Sequence, residues 1–315
     1  MIFIGPTLMS GIGQVTKKYS ELFGGKFIQT EHYNHVPPDE DVFIFALPIE
    51  RDISAIKELQ KFSKSVVCMS VCETETVHPD YGTLFQLFDS IMVPSEFCQQ
   101  VFSRQFPDKT FHVLHHWVPR PIVRPKKYLE TSPGTYVFYH IGNILDNRKN
   151  SRKIIESFIR LNMDNCILIL KATCLQPVHF SIPNVYVINE LLDDEQMQDI
   201  HRKAHCYVSF SHSEGVGMGA VEAAMNDKPV IITEYGGAKN YIKTPYLISC
   251  ERTAVGKDDF LYTKDLMWGK PNFTELMTYM KDAYDKQLKK MDHTFTRHLV
   301  SEENIKKEFS QATGY

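Results

Sequence analysis

Short apolar runs alternate with longer amphipathic stretches from the first residue onward. Runs rich in β-branched and aromatic side chains, bounded by turn formers, predict buried strands over 1–5, 26–29, 42–47, 65–70, 90–93 and 111–114. Between them, apolar residues at helical spacing predict helices over 13–23, 52–63 and 96–106. A βα alternation of this kind builds a mostly parallel sheet. No periodic pattern survives across 118–134, VPRPIVRPKKYLETSPG, which reads as a linker rich in proline and basic residues. The alternation then restarts, with strands over 135–141, 166–171, 185–188, 206–210 and 229–233 and helices over 150–161, 193–204 and 217–226. Amphipathic helices are expected over 272–290 and 301–311, the second capped by Ser301.

The pattern therefore predicts an α/β protein of two doubly wound, Rossmann-like domains facing across a cleft at the carboxyl ends of their strands. The expected divisions are a first domain over 1–122, a linker over 123–134, a second domain over 135–300, and a helix over 301–315 packing back on the first. A chain of 315 residues, 43% hydrophobic and 23% charged, is long and apolar enough for two cores. Its 35 Lys and Arg against 38 Asp and Glu give a net charge of −3, which offers no reason to expect nucleic acid as a partner.

Cysteines at 68, 72, 98, 166, 174, 206 and 250 are scattered, several within apolar runs, and read as reduced, mostly buried thiols. No Cys/His spacing suits zinc. The apolar run at 42–49 is interrupted by Pro48 and falls short of the roughly 18–20 residues that span a membrane. With no signal-peptide pattern at the N-terminus, a soluble, cytoplasmic chain is expected. Asp39-Glu40-Asp41 has the form of a metal-binding DxD but precedes its strand within a polar turn, and reads as a turn. His115 and His116 are adjacent on a strand, point to opposite faces, and so cannot share a metal.

Residues 209–242, SFSHSEGVGMGAVEAAMNDKPVIITEYGGAKNYI, carry the most chemistry. A strand runs into a turn containing Gly215, Gly217 and Gly219, and a helix follows that carries Glu222. Amides at a helix N-terminus on a glycine turn suit a phosphate or diphosphate. A carboxylate one turn inside suits a ribose diol, and Glu214 in the preceding loop suits hydroxyls beyond the phosphates. Taken singly, the glycines read equally as a tight βα connection and Glu222 as a solvated helix residue. The pair of glutamates around a GxGxG turn, with Gly236-Gly237 after the next strand, favours the nucleotide.

These residues resemble the motifs of retaining glycosyltransferases of the GT-B fold, GT4 type. The spacing of Glu214 and Glu222 matches that family's E-x7-E, followed by Pro229-Val230-Ile231 and Gly236-Gly237. The resemblance extends to His140-Ile141-Gly142 with Asn147-Arg148-Lys149-Asn150, to Asn184-Val185-Tyr186-Val187 with the helix from Asp193, and to Trp268-Gly269-Lys270-Pro271. It implies a base near Val187 and Ile188, ribose on Glu222, and a diphosphate on the amides around Gly215, Gly217, Met218 and Gly219. Gly142 and Asn143 would line the same donor site, Lys149 would contact the diphosphate, and Glu214 the sugar.

Asn143 departs from the Arg usual in the family, which passes the cationic role to Lys149 or Arg148. Arg148, Lys149, Arg152 and Lys153 stand at a helix start, where the dipole disfavours cations and a bound anion would compensate. In the first half, Gly11-Ile12-Gly13 is not a dinucleotide fingerprint, because Thr16 replaces the third glycine. By resemblance it is a loop against the donor phosphates and sugar, with Glu73 contacting the acceptor or sugar.

The resemblance implies transfer of a sugar from a nucleotide-diphosphate sugar to a glycan, lipid or protein, with retention and with neither metal nor other cofactor. A lipid acceptor would bring peripheral membrane contact through Lys57, Lys61 and Lys64, a set that a solvated helix face explains as well. Alternatives on the same fold are a sugar-nucleotide epimerase, a phosphorylase, or a catalytically silent sugar-nucleotide or glycan-binding protein. A nicotinamide-dependent oxidoreductase ranks last, for want of GxGxxG after either initial strand.

Overall fold

The computed structural model describes residues 1–314 apart from 174, 175 and 180. The chain forms two compact units: Met1–Pro119, Ala254–Met267 and His298–Tyr315 make the first, Arg120–Thr253 and Trp268–Arg297 the second.

Unit 1 is built on a parallel sheet of β1 (Ile2–Gly5), β2 (Lys26–Gln29), β3 (Asp41–Phe45), β4 (Ser65–Met69), β5 (Ser90–Val93) and β6 (Thr110–Val113), in the order β2-β1-β3-β4-β5-β6. Its crossovers contain α1 (Gly11–Leu22), α2 (Glu50–Phe62), α3 (Asp80–Phe85) and α4 (Glu96–Gln105). Register places Phe3 beside Phe43 and Ile4 between Ile28 and Ile44. Because side chains alternate along a strand, the isoleucines fall on one face with Ile56 and Leu59 of α2. The phenylalanines fall on the other, against Tyr19 of α1 and Phe23. Both faces are covered, hence the nearly continuous apolar strands. The short α3, which the periodicity did not show, buries Tyr81, Leu84 and Phe85.

Unit 2 repeats the plan with β7 (Tyr136–Gly142), β8 (Cys166–Ala172), β9 (Val185–Ile188), β10 (Cys206–Val208), β11 (Val230–Thr233) and β12 (Leu247–Ile248), in the order β12-β11-β10-β7-β8-β9. The helices α5 (Ser151–Leu161), α6 (Asp194–Lys203), α7 (Met218–Met225) and α8 (Ala238–Tyr241) connect them. The start of α6 is fixed by a capping box between Asp193 and Gln196. A ribbon of β13 (Cys250–Ala254) and β14 (Met267–Pro271) leads the chain to residues 254–267 and back, and α9 (Phe273–Asp285) follows. The periodicity carried that helix to 290; it stops at 285 because Gln287 turns to a left-handed φ of 50°.

After α10 (Thr294–Leu299), α11 (Glu302–Thr313) lies in unit 1, where Phe309 packs on Phe23 at 4.5 Å. Residues 254–267 also belong to unit 1: Leu261 packs on its core, and Glu75 N donates to Met267 O at 2.9 Å. The second part of the proline-rich segment is pinned to α6, with Tyr128 N and Leu129 N donating to Asp199 Oδ2 at 2.8 and 2.9 Å.

Of the cysteines, 68, 72, 98, 166 and 206 are buried free thiols and Cys250 is half-buried; Cys174 lies outside the described residues. Among the described residues no helix is long and apolar enough to cross a membrane.

Strand order sets where a ligand can approach. In unit 2 the first strand, β7, has the fourth, β10, on one side and the second, β8, on the other, so the order reverses between β7 and β10. Ligands of doubly wound sheets bind outside the carboxyl ends of the strands at such a point. In unit 1 the reversal falls between β1 and β3.

Candidate functional site

Two loops leave the reversal point of unit 2: residues 143–150 after β7 and 209–217 after β10. Asp146 starts a single 3-10 turn by accepting from Arg148 N, and Asn150, at a left-handed φ of 52°, turns the chain into α5. The second loop docks on the first through His212 N, which donates to Arg148 O at 2.8 Å.

That docking brings Glu214 against Arg148 and Lys149. Lys149 Nζ donates to both Glu214 oxygens, at 2.7 and 2.8 Å. Arg148 Nη1 stands 3.1 Å from Oε2 and donates to Ser213 O at 2.7 Å. Ser211 Oγ donates to Oε1 at 2.7 Å. The side chains of Glu214 and Arg148 are each 11% exposed and that of Lys149 17%. Burial alone would raise the Glu214 carboxyl, but the two cations and the hydrogen bonds from Lys149 and Ser211 hold it well below the usual range. Asp146 Oδ2 also stands 3.4 Å from Arg148 Nη2, so two carboxylates face the two cations, whose remaining N–H donors are the groups a diphosphate would use. Sequence reasoning placed the cation and Glu214 on different parts of a ligand; the structure puts them in direct contact. Lys153 is turned away, toward Glu156 at 2.7 Å and the Phe273 ring at 5.0 Å.

Glycines permit the close packing. A Cβ on Gly236, at φ 80°, would stand 2.6 Å from Glu214 O. One on Gly219 would stand 2.5 Å from Tyr207 Oη. Gly217, at φ 79°, precedes α7, which has no side-chain cap. Its leading amides, at Met218 and Gly219, thus form the uncapped positive end of a helix at the reversal point. Gly215 is buried in the same turn. Glu222, one turn inside α7, has a side chain 26% exposed and stands 3.9 Å from His201 Nε2.

Gly142 ends β7 beside the Lys149 stem, and Asn143 Oδ1 accepts from Leu145 N at 3.1 Å. Val187 and Ile188 are half-buried on the edge strand β9, two strands from β7.

Three supporting groups were given no role by the sequence reading. Buried His140 Nδ1 is 2.8 Å from Val208 O, and burial with the Lys149 charge lowers its pKa to about 4, so the ring is neutral. His212 stacks on Trp268 at 4.8 Å, and its Nδ1 is 2.7 Å from Gly269 O. This ties the 209–217 loop to β14. Only tertiary neighbours distinguish these histidines, and Ser211, from others in the chain.

The remaining candidates lie in unit 1. Gly11, Ile12 and Gly13 open α1 at the reversal point, where Ser10 Oγ caps Gly13 N at 3.0 Å. A Cβ on Gly13 would stand 2.3 Å from Thr7 O, so this glycine serves the turn itself. Glu73, after β4, accepts a hydrogen bond from Tyr262 Oη of the 254–267 segment. In the DED sequence Asp41 Oδ1 accepts from Ser65 Oγ at 2.7 Å. His115 and His116 take different partners, Glu308 and Tyr19.

Solved structures share this architecture. HepE of Anabaena, in complex with UDP and glucose, matches with a TM-score of 0.62 and 10% identity, over 99% of this chain and 98% of its own. The lipopolysaccharide outer core galactosyltransferase WaaB matches at 0.60 and 14%, with the same coverages. The fold is that of the GT-B glycosyltransferases.

The pneumococcal O-GlcNAc transferase GtfA, in complex with UDP and GlcNAc, matches at 0.57 and 13% identity over 90% of this chain; the match spans only 58% of GtfA. The model of the family "Glycosyl transferases group 1" matches residues 180–248, from the approach to β9 through the Glu214–Glu222 turn to β12. No curated protein sequence matches the chain. Within this GT-B fold, the matched segment contributes β10, the glycine turn and α7 to the unit 2 reversal point.

Proposed function

We propose that the chain transfers a glycosyl group from a nucleotide-diphosphate sugar to a glycan, lipid or protein acceptor, with retention of configuration, as a GT4-type enzyme. The observation that carries this reading is the buried Glu214–Lys149–Arg148 cluster beside the uncapped start of α7, at the reversal point of a GT-B fold. In this reading the diphosphate lies on the amides of Gly217, Met218 and Gly219 and on Lys149, with Gly142, Asn143 and Gly215 around it. Ribose lies on Glu222, the base near Val187 and Ile188, and the sugar near Glu214. Glu73 is the acceptor-side candidate on unit 1.

Departure of the nucleoside diphosphate concentrates negative charge on its outer phosphate. Fixed amides, the Arg148 guanidinium and the Lys149 ammonium meet that charge without reorganising, the condition under which electrostatic stabilisation is strongest. Ionised Glu214 holds both cations in place and offers acceptors to sugar hydroxyls. The reading assigns the diphosphate charge to the protein rather than to a metal, so transfer should continue unchanged in EDTA.

Calorimetric titration with UDP-, GDP-, ADP- and TDP-sugars tests the proposal. One nucleotide series is expected to bind, and to bind about tenfold or more weakly in Glu222→Ala while the thermal melt is retained. Absence of binding in all four series overturns the reading.

A further inference from the structure

Behind Glu222 runs a buried polar chain to which the proposed function gives no role. Tyr139, on β7, is fully buried, and burial first, with nearby Tyr207, pushes its hydroxyl well above the usual tyrosine range, so the oxygen keeps its proton. A buried hydroxyl needs an acceptor. His201 Nδ1, on α6, stands 2.8 Å away. Accepting the Tyr139 hydrogen bond at Nδ1 places the ring N–H on Nε2. Nε2 faces Glu222 Oε2 at 3.9 Å, longer than a hydrogen bond, so the pair closes only when the partly exposed carboxylate turns toward it. Three elements thus converge, β7, α6 and α7, with the histidine 3% exposed between a buried hydroxyl and a partly exposed carboxylate.

We propose that His201 is a positioning residue for Glu222: Tyr139 sets its tautomer, and its Nε2–H orients the carboxylate toward the 2′- and 3′-hydroxyls of a nucleoside diphosphate. The inference rests on the ribose role of Glu222 given above. His201 acts through Glu222, in the way that outer partners of a ligating side chain fix its direction. Its contribution is preorganisation, which shows as a preference for ribose over deoxyribose.

The test measures, by calorimetry, the affinities of UDP, GDP and ADP beside their 2′-deoxy counterparts. In the wild type the nucleotide that binds is expected to be preferred over its 2′-deoxy form by about tenfold or more, the worth of a hydrogen bond to a charged group. Glu222→Ala should abolish the preference. His201→Phe should reduce it to within about threefold while 2′-deoxy affinity is unchanged, and His201→Gln, whose amide reaches the Nε2 position, should restore most of it. Tyr139→Phe removes only the hydroxyl, should also lower the preference, and carries the test where His201→Phe does not fold.

No preference in the wild type, or a preference kept by Glu222→Ala, overturns the ribose role of Glu222. A preference lost in Glu222→Ala but kept in folded His201→Phe or in Tyr139→Phe overturns the role of His201 alone. His201→Gln behaving like His201→Phe assigns the histidine to packing and also overturns it.

Discussion

Glu214 makes its neighbours inseparable. It is buried, ionised and held by two cations and a serine hydroxyl, so any substitution here acts on stability and on charge together. Lys149→Ala is expected to lower kcat by about 10², the usual worth of one donor to a developing charge. The same change leaves Glu214 with Arg148 and Ser211, so a stability loss on the order of 2 kcal/mol is expected beside it. Single-turnover kinetics and a denaturant melt on the same variant separate the two. A lost melt with an unchanged rate in the folded fraction would assign Lys149 to structure alone. Gly13→Ala is a different kind of test, because the new methyl meets the backbone oxygens of Thr7 and Pro6 at 2.3 and 2.4 Å. A loss of about 2–3 kcal/mol is expected from overpacking, read as a lower denaturant midpoint with unchanged slope.

At the scale of elements, α11 is fastened to unit 1 through a buried charge. His115 N and Nδ1 each stand 2.8 Å from the Glu308 carboxylate, and Nε2 is 3.4 Å from Glu96. Burial alone would lower its pKa, but hydrogen bonds and charge from Glu308 and Glu96 raise it to about 9. A folded pKa above the unfolded value stabilises fully below pH 6.5 and is lost as pH rises through about 9. Over that window the loss is about 3 kcal/mol at order of magnitude, since His115 is 5% exposed. Glu308→Gln should flatten this slope; an unchanged pH dependence of hydrogen exchange in α11 would reject the assignment. Neighbouring His116 is pushed the other way, to about 3, by burial and by the charges of His115 and Lys18, and adds nothing in this range. The elements themselves were largely legible. Strands β1 to β6 lie where apolar runs were bounded by turn formers, and Asp193, Asn272 and Ser301 cap helices whose starts their side chains announce. Short elements such as α3 and β12 were not legible, being too short to show a period.

For the whole molecule, a bound nucleoside diphosphate should stabilise unit 2 by mass action, about 2.7 kcal/mol at a hundred times Kd. Hydrogen exchange with saturating UDP, or whichever nucleotide binds, should show new protection in 142–150 and 209–222; protection elsewhere only would move the site. The alternation of strand and helix determined two doubly wound sheets, because burial on both faces of a parallel sheet leaves that pattern in any sequence that forms one. The glycine turn before a helix marked Glu214 and Glu222, and cations placed at a helix start marked the basic 148–149 pair. Assignment of 254–267 to unit 1, the bonding of Lys149 to Glu214, and the approach of Tyr139, His201 and Glu222 to one another were decided only by tertiary structure. Each depends on atoms far apart in sequence meeting across packed elements, and local periodicity contains no term for that distance.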